Sequence, residues 1–163
     1  MEITFEHMSD EHRTDIIDIY NYYAENSFSA YLDTKIPYEY YDKFIKMTEN
    51  YPAFAIKAES KVIGFCFLHA YKPLPAFNST AEITYFLDKD YRGRGIGRLA
   101  LAKLESEARH KGIQSILANI ASLNEESLAF HSKNGFRECG RFERVIKKKD
   151  KVFDVVWMQK MII

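Results

Sequence analysis

The residues best suited to chemistry stand in one short run, Arg92-Gly93-Arg94-Gly95-Ile96-Gly97-Arg98, between a hydrophobic strand-like segment and an amphipathic helical one. Glycines at alternate positions let the backbone curl closely around an anion. The helix that follows aims its unpaired N–H groups and positive dipole end at the same point. The interleaved arginines add charge-assisted donors. The run reads as a phosphate cradle. Glycines alone also shape strand-to-helix turns, but such a turn needs neither three closely placed glycines nor several arginines.

Two nucleotide motifs compete for the loop. Gly95 to Ala100 fits G-x-G-x-x-A, yet the next strand, Gln114 to Ala121, holds no carboxylate for a ribose. A phosphate loop of the Gly-Lys-Ser/Thr kind fails because Arg98 and Leu99 follow Gly97. A second polar group surrounds His131, where Asn124, Ser127 and Leu128 precede it by seven, four and three residues and so share a helix face. The Asn124 amide can cap that helix and also meet a ligand. Arg98 and Lys133 are long enough to reach phosphates, although surface cations are usually solvated.

Positioning these groups takes one domain over residues 1–163. With 47% hydrophobic and 28% charged residues the chain is expected to be globular and soluble, and no apolar run is long enough for a membrane span. Lys plus Arg balance Asp plus Glu at 23 each, which argues against nucleic acid as a partner. Cys66 and Cys139 lack zinc or disulfide spacing, so no metal is expected, and a reducing cytoplasm fits. The N-terminus shows no secretory signal pattern.

Hydrophobic periodicity predicts a strand over 3–8 and a helix capped by Ser9 or Asp10. An aromatic loop over 26–35 then leads to a second helix opened by Pro37. Segments 54–58 and 62–70 read as a hairpin and 81–87 as the strand before the loop. The helix after it carries Ile96, Leu99, Ala100, Leu104 and Ala108 as its apolar stripe and ends at Gly112. A strand over 113–121, a helix over 124–134 and an antiparallel pair, 136–145 with 152–161, complete the chain. The run Lys147 to Lys151 reads as a solvated hairpin turn. The expected class is α/β (α+β), with a mixed, mostly antiparallel sheet of about seven strands and about four helices.

Arg92-Gly93-Arg94-Gly95-Ile96-Gly97 resembles the R/Q-x-x-G-x-G/A acyl-CoA loop of the GNAT superfamily of N-acetyltransferases. Within it the chain is most similar to the phosphinothricin (methionine sulfoximine) N-acetyltransferase branch. The residues that carry this are Ile19-Tyr20-Asn21, Thr80-Ala81-Glu82, the set Asn124, Ser127, His131, Gly135 and Phe136, and the closing Asp154 to Gln159. The resemblance implies acetyl-CoA as cosubstrate, a small-molecule amine as acceptor, and a homodimer.

It further implies Glu82 as the base beside the acceptor, since a lysine-like amine, pKa about 10.4, must lose a proton before it attacks. Backbone groups of Tyr85, Phe86 and Leu87 would receive the thioester and pantetheine, with an N–H stabilising the oxyanion. His131 would protonate the departing thiolate, position a water, or serve structure alone. Phe28, Tyr31, Tyr38, Phe77 and Tyr85 offer aromatic surface near the expected entrance. Leu74 stands where the branch carries an arginine for the acceptor's carboxylate, and leucine cannot replace that bidentate contact. Methionine sulfoximine is therefore expected to be a poor substrate. A protein N-acetyltransferase, or a non-catalytic acyl-CoA sensor, would use the same loop.

Overall fold

The computed structural model describes residues 1–163. Strand β1 (Ile3–His7) leads through a 3-10 turn capped by Ser9 into α1 (Arg13–Asn26), and a second 3-10 turn after Pro37 precedes α2 (Tyr41–Met47). The hairpin β2 (Ala53–Ala58) and β3 (Lys61–Ala70) is followed by β4 (Thr80–Leu87), α3 (Ile96–His110), β5 (Ser115–Ala121) and α4 (Glu125–Lys133). The chain closes with the hairpin β6 (Arg137–Lys148) and β7 (Lys151–Met161). The seven strands form one mixed sheet in the order β1-β2-β3-β4-β5-β7-β6. Only β4 and β5 pair in parallel, because α3 carries the chain back across the sheet between them.

Both faces of the sheet are covered. Residues Ile63, Cys66 and Leu68 of β3 join the core beneath α3, while Val62, Phe65 and Phe67 join the core beneath α1 and α2. Double burial explains why β3 reads as a nearly continuous apolar run.

The sequence reading needs two corrections. In α3, Leu99 is half exposed at 50%, whereas Leu101 is buried at 2%. At 100° per residue, Ile96, Ala100, Leu104, Ala108 and Leu101 span an arc of about 140°, and Leu99 falls outside it. The second correction concerns the basic run. Lys149 and Asp150 form the turn, with φ of 52° and 63°, but Lys148 is 1% exposed and its Nζ donates to the Ala30 carbonyl at 2.6 Å. Strand alternation puts Lys148 on the inward face with Ile146, so the position rather than the residue type determined its burial.

Candidate active site

The donor end is built by the glycine loop. Asp88 caps a short turn by accepting from the Asp90 N–H at 2.9 Å, and the chain then passes through Gly93 and Gly95, left-handed at φ of 73° and 81°. Gly95 is the N-cap of α3. The N–H groups of Arg92 through Arg98 donate to no carbonyl of the chain, so they form a concave set of free donors at a helix start. Arg92, Gly93, Gly95, Ile96, Gly97 and Arg98 line a cleft of about 1220 Å³. Arg94 does not: its guanidinium lies over the Tyr91 ring, 5.1 Å from the centroid. Arg92 pairs with Glu126 in the first turn of α4, joining the two rims.

The cleft exists because β4 and β5 part company. Their pairing runs from Thr80 opposite Ser115 to Glu82 opposite Leu117 and then stops, although the strands continue to Leu87 and Ala121. Residues from Ile83 to Leu87 on one side and Ala118 to Ala121 on the other form facing walls of the opening. Unpaired strand edges carry backbone donors and acceptors, which suit an amide-bearing arm such as pantetheine. Tyr23 already donates its hydroxyl to the Leu87 carbonyl. Along α4, Asn124, Ser127 and Lys133 reach the cleft. The Asn124 carbonyl oxygen is committed to capping the Ser127 N–H at 3.2 Å, while its NH2 remains available. The free loop donors beside Arg92 and Arg98, the parted strands and this α4 face suit the phosphates and the amide-bearing arm of acetyl-CoA.

His131 is buried, at 3% exposure, at the cleft floor. Its Nδ1 lies 2.7 Å from the Ser127 carbonyl, which can only accept, so Nδ1 carries the proton. Nε2 therefore accepts from the Tyr85 hydroxyl at 2.5 Å. Burial lowers the His131 pKa and raises that of Tyr85, keeping both neutral. The bond ties α4 to β4 across the place where β4 and β5 diverge.

The acceptor end is aromatic. Phe28 and Tyr31, on the loop after α1, face a wall that includes Phe44, Phe67 and Phe86. The loop is held from behind by the β6–β7 hairpin through Lys148 and through Phe153, whose ring meets Phe28 edge-on at 5.4 Å. Glu82 sits where the parallel pairing ends. Its Oε1 accepts from Asn119 Nδ2 at 3.0 Å, and Asn119 lines the cleft. Alternation puts Glu82 on the same face as Thr84 and Phe86, directly opposite His69 of β3. Burial pushes the Tyr31 hydroxyl up to about 12, and the Glu82 charge adds to that shift.

Leu74, Phe77 and Glu82 do not line the cleft, although Glu82 reaches it through Asn119. Leu74 is 55% exposed, and Phe77 packs on Tyr71, which packs on Trp157. Sequence reading also missed Asn119 and Lys148. Asn119 meets Glu82 only through strand register, and Lys148 looks like any member of a basic run.

The Acetyltransferase (GNAT) family matches residues 16–136. The phosphinothricin N-acetyltransferase of Streptomyces coelicolor is 29% identical over 151 residues, which span 89% of this chain and 88% of that protein. The L-methionine sulfoximine/L-methionine sulfone acetyltransferase of Pseudomonas aeruginosa is 27% identical over 147 residues, 88% of this chain and 86% of that one. The crystal structure of a phosphinothricin acetyltransferase from Sinorhizobium meliloti, in complex with acetyl-CoA, superposes with a TM-score of 0.92 at 25% identity, covering 99% of this chain and 89% of that one. The glycine loop at a helix start, the parted strands beside it and the matched residues agree: the chain belongs to the GNAT family, an N-acetyltransferase whose cosubstrate is acetyl-CoA.

Proposed function

We propose that this acetyltransferase moves the acetyl group directly to the primary amine of a small molecule, with Glu82 as the base, and that residues 1–163 form one catalytic domain. The observation that carries this reading is the place of Glu82: it ends the parallel β4–β5 pairing, bonds to Asn119, which lines the cleft, and its charge acts on Tyr31 of the aromatic wall. Acetyl-CoA supplies an electrophilic thioester. The loop N–H groups with Arg92 and Arg98 hold its phosphates, and the open edges from Tyr85 to Leu87, with Asn124, Ser127 and Lys133, align its arm. An N–H near Phe86 and Leu87 then faces the oxyanion. Glu82, oriented by Asn119, takes the ammonium proton so that the amine lone pair can attack.

His131 has no proton at Nε2 to give, since that atom accepts from Tyr85. We therefore assign it a positioning role, holding Tyr85 and α4 against β4. The CoA thiolate, with a thiol pKa near 8.5, leaves without a strong acid. Neither cysteine supports a covalent acetyl-enzyme: Cys66 is buried with its thiol pKa raised, and Cys139 lies on β6, away from the cleft.

A small acceptor is favoured over a protein because the loop bearing Phe28 and Tyr31 is pinned across the acceptor end by Lys148 and Phe153. Two free cysteines without a disulfide and no helix long and apolar enough to cross a membrane accord with a cytoplasmic enzyme. Edge strand β6 leaves Phe142 and Val145 exposed, which supports a homodimer; sedimentation as a monomer at working concentration counts against it. The test of function is acetyl-CoA-dependent CoA release over amino acids, polyamines, aminoglycosides and peptide N-termini. Release with a small amine is expected. Tight acetyl-CoA binding without release across the panel would make the protein a sensor.

A further inference from the structure

The two ends of the cleft differ in which charges they offer. Both arginines that line it, Arg92 and Arg98, stand at the glycine-loop end. At the aromatic end the charged group on the sheet is Glu82, which does not itself line the cleft but bonds to the uncharged Asn119 amide, which does, and acts on the neighbouring Tyr31. A carboxylate in that setting attracts an ammonium and repels a second carboxylate.

Of the lysines near the acceptor end, Lys148, Lys151, Lys72 and Lys43, only Lys43 lines the cleft. Lys148 is buried with its Nζ on the Ala30 carbonyl, and Lys151 lies over the Phe28 ring, 5.7 Å from its centroid. Lys72, the nearest cation in sequence to Leu74, sits over Tyr71 and does not line the cleft. Lys43, which does line it, extends from α2 over the Tyr40 ring, 4.6 Å from the centroid. No guanidinium is available to hold a carboxylate in the bidentate geometry an α-amino acid would need. What the walls do provide is aromatic surface, from Phe28, Tyr31, Phe44, Phe67 and Phe86.

Resting on the acetyltransferase reading above, we propose that the acceptor is a primary amine on an apolar, aromatic-sized body with no carboxylate beside the amine, an arylalkylamine in class. The ammonium meets Glu82 and the ring of Tyr31, and the apolar body fills the wall formed with Phe28 and Phe67. The ammonium proton passes to Glu82, the neutral nitrogen bonds to the acetyl carbon, and as the C–S bond breaks the nitrogen's second proton goes to the departing sulfur, releasing CoA as the thiol. The two relatives named for phosphinothricin and methionine sulfoximine act on acceptors that carry the α-carboxylate, so this chain departs from them at this point.

The test is a matched series with acetyl-CoA saturating: 2-phenylethylamine, L-phenylalanine, L-phenylalaninamide and methionine sulfoximine, read as kcat/KM. 2-Phenylethylamine and the amide are expected to exceed L-phenylalanine and methionine sulfoximine by about tenfold or more, the factor set by leaving a carboxylate unpaired. Phe28→Ala and Tyr31→Ala are expected to raise KM for 2-phenylethylamine and to leave KM for acetyl-CoA unchanged. Turnover of L-phenylalanine or methionine sulfoximine as good as that of 2-phenylethylamine overturns the acceptor class and leaves the transferase intact. An amide as poor as the acid overturns the charge basis of the assignment. CoA release with no member of the series or of the wider panel, from protein that binds acetyl-CoA, overturns the transferase reading itself.

Discussion

The donor and acceptor ends of this cleft are built in opposite ways. The donor end is contiguous: seven successive residues from Arg92 to Arg98 have free backbone N–H groups, glycine permits the turn at Gly93 and Gly95, and Arg92 and Arg98 add cations. The acceptor end is assembled from α1, the loop after it, α2, β3 and β4, with Lys148 bracing it from the far end of the chain. Backbone recognition of a constant ligand needs local conformation. Side-chain recognition of a particular amine needs several distant segments in register, and such a surface can change substrate without disturbing the donor loop.

If the two ends are separable, substitutions should split the kinetic constants between them. The largest effect is expected for Glu82→Gln, which should lower kcat about 100-fold with every amine while acetyl-CoA affinity holds; an unchanged rate from acidic to neutral pH removes Glu82 as base. Next comes Gly95→Ala. Holding alanine in the left-handed region costs about 1 kcal/mol or more, so the loop should loosen and KM for acetyl-CoA should rise about fivefold to tenfold, with acceptor KM little changed.

Lys148→Met should do the reverse, raising acceptor KM roughly threefold as the Ala30 anchor is lost. Urea denaturation should show little loss of stability, because the variant also removes a buried ammonium.

His131 separates structure from chemistry through pH. Its folded pKa lies below the unfolded value of about 6.5, so above pH 7 it is neutral in both states and contributes no pH dependence. As pH falls through 6.5 the unfolded chain takes up a proton that the folded chain refuses. Stability drops at up to ~1.4 kcal/mol per pH unit until the folded pKa is reached. His131→Gln should abolish that component in denaturation curves taken from pH 7.5 downward. The smallest effect is expected for Gly97→Ala. Its added Cβ would lie 3.4 Å from Phe130 Cζ, an ordinary contact, and helix propensity should raise Tm slightly, by about 0.5 kcal/mol of stability, with acetyl-CoA binding retained.

Legibility in the sequence followed the same division. The loop, its helix and the stop at Gly112 could be read directly, because glycine conformation and helix periodicity are local properties. Leu99 was misplaced by a stripe counted in threes and fours; the arc that includes Leu101 describes the buried face better. Leu74 and Phe77 lie just before β4 in sequence, yet the 3-10 turn Pro75–Phe77 sets Phe77 against Tyr71 and leaves Leu74 exposed, neither lining the cleft. His131 could be placed on a helix face with Ser127, whose carbonyl fixes the proton on Nδ1, but the partner of its Nε2, Tyr85, lies 46 residues away.

The sequence by itself determined the loop: glycines spaced at a helix start leave a run of free N–H groups wherever that helix lies. Only the tertiary structure decided the acceptor end. The end of the β4–β5 pairing at Glu82, the register that brings Asn119 to its carboxylate and the strand face that turns Lys148 inward each depend on how distant strands align. Alignment of that kind is a property of the whole sheet, set by burial on both faces, and no single segment encodes it.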